Sequence, residues 1–357
     1  MSKETRVHVV GTGTIGEPLI GLLSDFQKDL GIDVLSFHKR TPLTNERAKV
    51  RNLLDRGALL VTDKETIPRF QDLGMKVSME AEEAVEKASV VIDCTPSGVG
   101  QANKLKYYEK YAHNTNGFVA QGSEFGFGKM YARGVNDSAL VPGDDKYIQV
   151  VSCNTHNIAV LLKTLALADD DPDNLVEAKF VMMRRASDIS QDKDYVPAPQ
   201  AGKHDDPRFG THHARDAWHL FQTLNYDLNL FSSAIKLNTQ YMHCLWFNLK
   251  LREKITLNQA IQRLAENRRV ALTEKRSANT IFSYGRDHGH FGRILSQTVV
   301  PVPTLQVVGD HEIVGFAFTP QDGNPLLSSV AVTCWMLDPN DYEKRLDCLR
   351  PYMFQEL

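Results

Sequence analysis

The chain has 357 residues, of which 42% are hydrophobic and 24% charged, and its formal net charge is -3. That length accommodates two domains with sizeable cores, and the near balance of charge gives no reason to expect nucleic acid or an anionic membrane as a partner. No apolar run approaches the length that crosses a bilayer and the start is polar, then strand-like, so a cytosolic protein acting on a small molecule is expected.

In chain order, residues 6–10 are a short β-rich run ending in Gly11, and residues 15–30 carry apolar residues at helical spacing. Residues 33–37 are strand-like again, and residues 89–96, "SVVIDCTP", form an almost continuous apolar run of the kind buried in a parallel sheet. This alternation predicts an α/β, Rossmann-type doubly wound domain. From about residue 174 the pattern changes to longer strands between polar loops: "LVEAKFVMMRRAS", "SAIKLNTQYMHCLWFNLKL" and "PTLQVVGDHEIVGFAFTP". An α+β domain with a mixed or antiparallel sheet is expected there, with residues 187–210 as a long loop. The expected division is a dinucleotide-binding domain over residues 1–152, completed by residues 319–357, and a catalytic domain over residues 153–318.

The turn after the first strand reads "GTGTIG", with Gly11, Gly13 and Gly16 placed between a strand and a helix. Glycines in that order allow a tight turn and close approach of backbone amides to a pyrophosphate. At the end of the second strand, "VLSFHKRTPLT" has no acid to hold ribose hydroxyls; Lys39 and Arg40 stand where a 2′-phosphate lies, which favours NADP over NAD, unless both are solvated loop cations.

The five cysteines, Cys94, Cys153, Cys244, Cys334 and Cys348, lack C-x-x-C spacing, so free thiols are expected and neither a disulfide framework nor a metal site. Cys153 stands where an apolar run gives way to a helix-like pattern over residues 155–168. A helix start favours the thiolate, and a thiolate there can attack a carbonyl carbon.

Several segments together resemble the archaeal-type (type II) phosphorylating glyceraldehyde-3-phosphate dehydrogenases. "GTGTIGEPL", "HKRTP", "VVIDCTPSGVG", "QGSE", "VVSCNT", "MRRASD", "THHARD" and "NTQYMHCLWFNLKL" follow one another as that family's motifs do. The resemblance implies that Cys153 is the nucleophile and His243 the general base. It implies that Thr14 and Ile15 touch the pyrophosphate, that Thr95 and Pro96 belong to the cofactor site, and that Gln121 and Gly122 line the nicotinamide-ribose side. Ser152, Asn154, Thr155, Arg184, His212 and His213 are implied to contact the phosphorylated aldehyde or inorganic phosphate, with Arg185 at the edge between cofactor and phosphate. The implied reaction is NAD(P)-dependent oxidation and phosphorylation of glyceraldehyde 3-phosphate through a cysteine thioester, in a homotetramer. The other readings are a dehydrogenase of another aldehyde, an acyl-phosphate reductase, or a catalytically weak nucleotide-binding relative.

Three segments depart from the family pattern, one of them, "EFGFGKMYARGVNDSALVPGDD" at residues 124–145, by being longer than its counterpart. His156 stands where a second threonine is usual, and could tune the thiolate, serve a phosphate, or turn outward. Near the C-terminus "TPQDGNPLLSSVAVTCWML" keeps Gln321 as a counterpart of the family's nicotinamide-side glutamine, but the acidic, asparagine-bearing helix start is expected to be missing.

Overall fold

The computed structural model describes residues 4–122, 124–188, 191, 195–320 and 322–357. Its backbone forms two units, one made of Met1–Lys129, Leu140–Val150 and Leu326–Cys348, the other of Met130–Ala139, Val151–Pro325 and Leu349–Leu357.

In the first unit, seven strands pair in parallel in the order Met79–Glu80, Leu59–Thr62, Val34–His38, Arg6–Val10, Val90–Asp93, Gly117–Gln121 and Tyr147–Val150. The central strands are apolar on both faces because both are covered: Val7, Val9, Val90, Val91 and Ile92 are all fully buried. The strand Arg6–Val10 has the second strand on one side and the fifth on the other, so the winding reverses beside it. In such a sheet a crevice opens beyond the carboxyl end of that strand, and here that end runs into Gly11.

Gly11 has φ +98, and a Cβ on Gly16 would sit 2.1 Å from the Gly11 carbonyl oxygen, so neither position admits a side chain. The helix Gly16–Asp25 follows, burying Leu19, Ile20, Leu22 and Leu23 completely. It ends sooner than its periodicity suggests. The residues after Asp25 form turns, yet Leu30 is still buried, which is why the apolar spacing runs on past the helix.

Asp93 closes the fifth strand as a buried hub. Its carboxylate accepts from the Thr95 amide at 2.9 Å and hydroxyl, from Asn103 Nδ2 at 2.8 Å and from the Tyr108 hydroxyl at 2.5 Å. Glu124, equally buried, accepts from the Gly98 amide at 2.5 Å and the Gln101 amide at 3.1 Å. The two carboxylates pin the turn that carries Thr95 and Pro96.

The second unit holds a mixed sheet in the order Gln200–Ala201, Leu230–Lys236, Leu175–Arg184, His243–Leu251, Glu312–Thr319, Thr298–Pro301 and Val270–Thr273. The stretch that reads as one long strand, "SAIKLNTQYMHCLWFNLKL", breaks in its polar middle. Leu230–Lys236 pairs parallel with Leu175–Arg184, and His243–Leu251 pairs antiparallel with the same strand. A parallel pair needs a crossover, and the helix His212–Gln222 supplies it. "PTLQVVGDHEIVGFAFTP" likewise folds back, Gln306–Val308 pairing antiparallel with Glu312–Thr319.

Behind this sheet lies the helix Cys153–Leu161, which continues with wider π-type turns over Leu162–Ala166. Ile158, Ala159, Val160, Leu161 and Leu162 are buried at 0–1% exposure in one core with Phe180, Leu220, Phe247 and Leu249. A helix covered all round has no solvent face to display, so the helical element begins at Cys153 rather than at residue 155 and its polar residues are internal.

Candidate active site

Ser152 caps the helix that opens on Cys153: its backbone is extended, with φ -66 and ψ 160, and its Oγ accepts from the Thr155 amide at 3.3 Å. Such a cap fixes the first turn. The polar side chains after Cys153 are turned inward into a buried network. Asn157 donates to Thr319 Oγ1 at 2.8 Å and accepts from Thr298 Oγ1 at 2.7 Å, while Thr319 Oγ1 donates to Asn154 Oδ1 at 3.3 Å. Asn324 closes the other side, donating to the Cys153 carbonyl at 2.9 Å and the Gln297 carbonyl at 3.0 Å. The side chains of Asn154 and Thr155 are therefore used internally, and Asn324 does supply an asparagine at the start of the helix Gly323–Leu337, contrary to the expectation of its loss.

A helix start alone lowers a thiol pKa. Here the Cys153 thiol is pushed up to about 12, first by burial and then by the Asp322 carboxylate, with Arg185 and the Asn154 amide acting in the opposite direction. Asp322 is 4% exposed, its backbone is left-handed at φ 55, and its two oxygens lie 3.7 Å from Arg185 Nη2 and 3.8 Å from Arg293 Nη2. Asp322 and Arg293 carry no motif, so nothing in the sequence marked them.

Arg185 joins this thiol to the histidines. Its guanidinium reaches Asp188 at 2.8 Å, and its backbone amide donates to His243 Nδ1 at 3.1 Å. Burial, reinforced by Arg185 and Arg184, holds the His243 ring well below its ordinary pKa. Arg184 stands exposed at the end of its strand, and His212 and His213 open the helix His212–Gln222 with ring centres 4.0 Å apart. His213 is 3% exposed and neither ring nitrogen has a hydrogen-bond partner. Burial and the neighbouring His212, Arg184 and His243 keep it neutral. The structure thus gathers Cys153, His243, Arg184, Arg185, His212 and His213 within the second unit, together with the unanticipated Asp322 and Arg293.

His156 does not turn outward. It is fully buried, its Nδ1 lies 3.0 Å from the Ser152 carbonyl oxygen, and burial lowers its pKa to about 4. A neutral, enclosed ring neither tunes the thiolate by charge nor meets a phosphate, so its role is structural. His8 in the first unit, beside Ser36 Oγ at 2.9 Å, is lowered further, to about 3, again by burial. Both rings bind protons more readily in the unfolded chain, where the value is near 6.5. Stability is therefore full above that pH and falls as pH drops toward the folded values, by about 1.4 kcal/mol per pH unit for each histidine. Urea midpoints measured between pH 7.5 and pH 5 should show this slope, and His156→Gln should flatten it; an unchanged slope would mean that His156 is not enclosed.

In the first unit a cavity of about 800 Å³ opens beyond the central strand, lined among others by Gly11, Thr12, Arg40, Thr95, Pro96 and Lys106. Gly13 has open space where a Cβ would stand, and Thr14 and Ile15 complete the turn, with no side chain capping the helix that follows. Uncapped helix amides beside a glycine turn suit a pyrophosphate, so the residues present fit a dinucleotide. Lys39 lines the same cavity but is 8% exposed and engaged: Glu46 holds it in an ion pair, and Glu46 also binds Lys49 at 3.2 Å. Only Arg40 of the expected cation pair stands exposed. Gln121 is buried, with its amide nitrogen on Ser329 Oγ and its carbonyl oxygen without a partner; Gly122 has φ +72 and accepts from Gln149 Nε2 at 3.1 Å. Gln321 lies outside the described residues. Among the described residues no cluster suits a metal ion, and no helix is long and apolar enough to cross a membrane.

A parallel doubly wound sheet with a glycine turn at its reversal point, in a chain that also carries a mixed-sheet unit with a cysteine at a buried helix start, defines a two-unit α/β protein with a Rossmann-type sheet, a fold that suggests a nicotinamide dinucleotide cofactor. No protein-family model matches the chain. It is similar to proteins named glyceraldehyde-3-phosphate dehydrogenase from Methanobacterium bryantii, at 29% identity over 95% of this chain and 96% of the relative, and from Sulfolobus acidocaldarius, at 29% over 86% and 85%. A third, from Methanobacterium formicicum, is 28% identical over 94% of each chain. These likenesses support assignment of the chain to the archaeal-type glyceraldehyde-3-phosphate dehydrogenase family.

Proposed function

We propose that the chain is an oxidoreductase that oxidises and phosphorylates glyceraldehyde 3-phosphate to 1,3-bisphosphoglycerate with NAD(P). The observation that carries this reading is the placement of Cys153 at a capped helix start within a group of arginines and buried histidines, in a chain similar from end to end to proteins of that name. Cys153 attacks the aldehyde carbon and retains the acyl group as a thioester. Arg184, at the end of its strand, together with His212 and His213, at the start of a helix with no side-chain cap from Thr211, offers donors for the two anions the reaction needs, the substrate phosphate and the attacking phosphate. The nicotinamide, when bound, supplies the hydride acceptor and a positive charge that favours the thiolate.

The test is reduction of NADP and of NAD by glyceraldehyde 3-phosphate with and without inorganic phosphate. Turnover that requires phosphate supports the reading, and turnover that ignores phosphate would overturn it.

The engaged state of Lys39 sharpens the choice of cofactor. Of the expected pair Arg40 is the cation left to meet a 2′-phosphate, so Arg40→Ala should weaken NADP about tenfold or more while leaving NAD within about twofold, as expected for loss of one charge-assisted contact. Equal loss for both dinucleotides in a binding titration would make Arg40 a solvated loop cation. A cytoplasmic homotetramer serving glycolysis or gluconeogenesis belongs to the same reading, and sedimentation velocity tests the assembly.

A further inference from the structure

We infer that Glu46 is a specificity-determining residue: it withholds Lys39 from a 2′-phosphate, lowers the preference for NADP over NAD, and turns that lysine into a brace of the glycine turn. This rests on the dinucleotide part of the proposed function.

The backbone of Lys39 is fixed first. Its amide donates to the Val61 carbonyl at 3.0 Å and its carbonyl accepts from Thr62 Oγ1 at 2.8 Å, so the exit of the strand Val34–His38 is tied to that of Leu59–Thr62. From there the side chain enters the wall of the dinucleotide cavity, where it is largely buried. The loop that follows is short and closes with the 3₁₀ turn Thr44–Glu46, whose last residue meets the Lys39 ammonium.

A network of four charges results. Glu46 binds Lys39 through one oxygen and Lys49 through the other at 3.2 Å, and Lys49 also lies 3.3 Å from Glu17. Both lysines reach into the glycine turn at Thr12, Lys39 donating to the hydroxyl at 3.5 Å and Lys49 to the carbonyl oxygen at 3.3 Å. Partial burial works against charge on Glu46, but the hydrogen bonds and charges of Lys39 and Lys49 prevail and hold its carboxyl below the ordinary value. Two cations and two carboxylates leave this network without net charge.

A 2′-phosphate has to take Lys39 away from Glu46. Parting a largely buried ion pair leaves the carboxylate without compensation, and the phosphate brings further negative charge up beside it. NAD carries only hydroxyls on that ribose. It asks for neither change and uses the braced turn as it stands.

Fluorescence titrations of the protein without aldehyde decide this, using NADP and NAD and, as smaller probes that differ only in the 2′-phosphate, 2′,5′-ADP and 5′-AMP. Glu46→Gln keeps the length and an acceptor oxygen while removing the charge. The ratio of NADP to NAD affinity should rise about tenfold, and 2′,5′-ADP should gain over 5′-AMP by the same factor. Adding Lys39→Met to Glu46→Gln should cancel the gain, because the freed ammonium is its source. Glu17→Gln removes a carboxylate of the same network that binds Lys49 and not Lys39, and should leave the ratio within about twofold. Lys39→Met alone should weaken both dinucleotides in equal proportion, since that lysine braces the turn and meets no 2′-phosphate. The inference is overturned if Glu46→Gln leaves the ratio unchanged or lowers it, if the gain survives Lys39→Met, if Glu17→Gln raises the ratio as much, or if Lys39→Met alone weakens NADP selectively. Binding needs no turnover, so a protein that fails to oxidise glyceraldehyde 3-phosphate loses the proposed reaction while these ratios still decide the role of Glu46. A protein that binds neither dinucleotide overturns both.

Discussion

Cys153→Ser should lower aldehyde oxidation by on the order of 10⁴- to 10⁶-fold, the scale on which loss of a nucleophile or its partner acts in covalent catalysis. Serine fits the space of cysteine, and the bond from Asn324 reaches the residue 153 carbonyl rather than its side chain, so the helix start survives the change. What is lost is the sulfur. A hydroxyl ionises at far higher pH than a thiol and gives an ester that is harder to open than a thioester. Dinucleotide binding, measured by fluorescence titration, should stay within about twofold because the dinucleotide cavity is lined by residues of the first unit. Steady-state turnover within tenfold of the parent would end the case for a covalent cysteine mechanism.

Asp93→Ala should cost about 3–5 kcal/mol of stability. The change strands donors from Thr95, Asn103 and Tyr108 in a region where Tyr108 is 1% exposed, and each buried donor left without an acceptor costs about 1–3 kcal/mol. Native proteins hold only about 5–15 kcal/mol in reserve, so the first unit should unfold at much lower urea concentration. Asp93→Asn keeps an acceptor oxygen but adds an amide that must itself be satisfied, and should fall between the parent and Asp93→Ala. A loss below about 1 kcal/mol in Asp93→Ala would mean that the donors find other partners.

How much of this the residues disclose depends on whether a feature is local. The first unit is legible because a doubly buried parallel strand must be apolar throughout and its glycine turn must follow at once, as in "VHVVGTGTIG". Cys153 is legible because the apolar run ends where a helix begins. The second unit is less so. "SAIKLNTQYMHCLWFNLKL" hides a crossover partner and an antiparallel strand in one stretch, since both use the same apolar alternation and only the polar middle separates them.

The site's charges are the least visible part. Asp322 meets Arg185 and Arg293 through folding, from distant positions in the chain. Glu46 takes Lys39 from only seven residues further on, but through the fold of the intervening loop, which composition at the end of a strand cannot announce. His156 misleads for a related reason: a histidine in the first turn of a helix is usually wet, but this helix is covered on every side.

The cavity of the first unit has a bearing on the speed of capture. Four cations line it, Lys39, Arg40, Lys64 and Lys106, and four carboxylates, Asp63, Glu65, Glu80 and Glu82. With the signs interleaved, an anionic dinucleotide approaching from solvent meets little net field, and long-range attraction does not funnel it inward. Encounter should then proceed at the unassisted rate set by diffusion and orientation, and adding salt should change the association rate only slightly. On the proposed function, selection then follows contact, at the turn amides, so ligands of different charge should arrive at similar rates and differ in how long they stay.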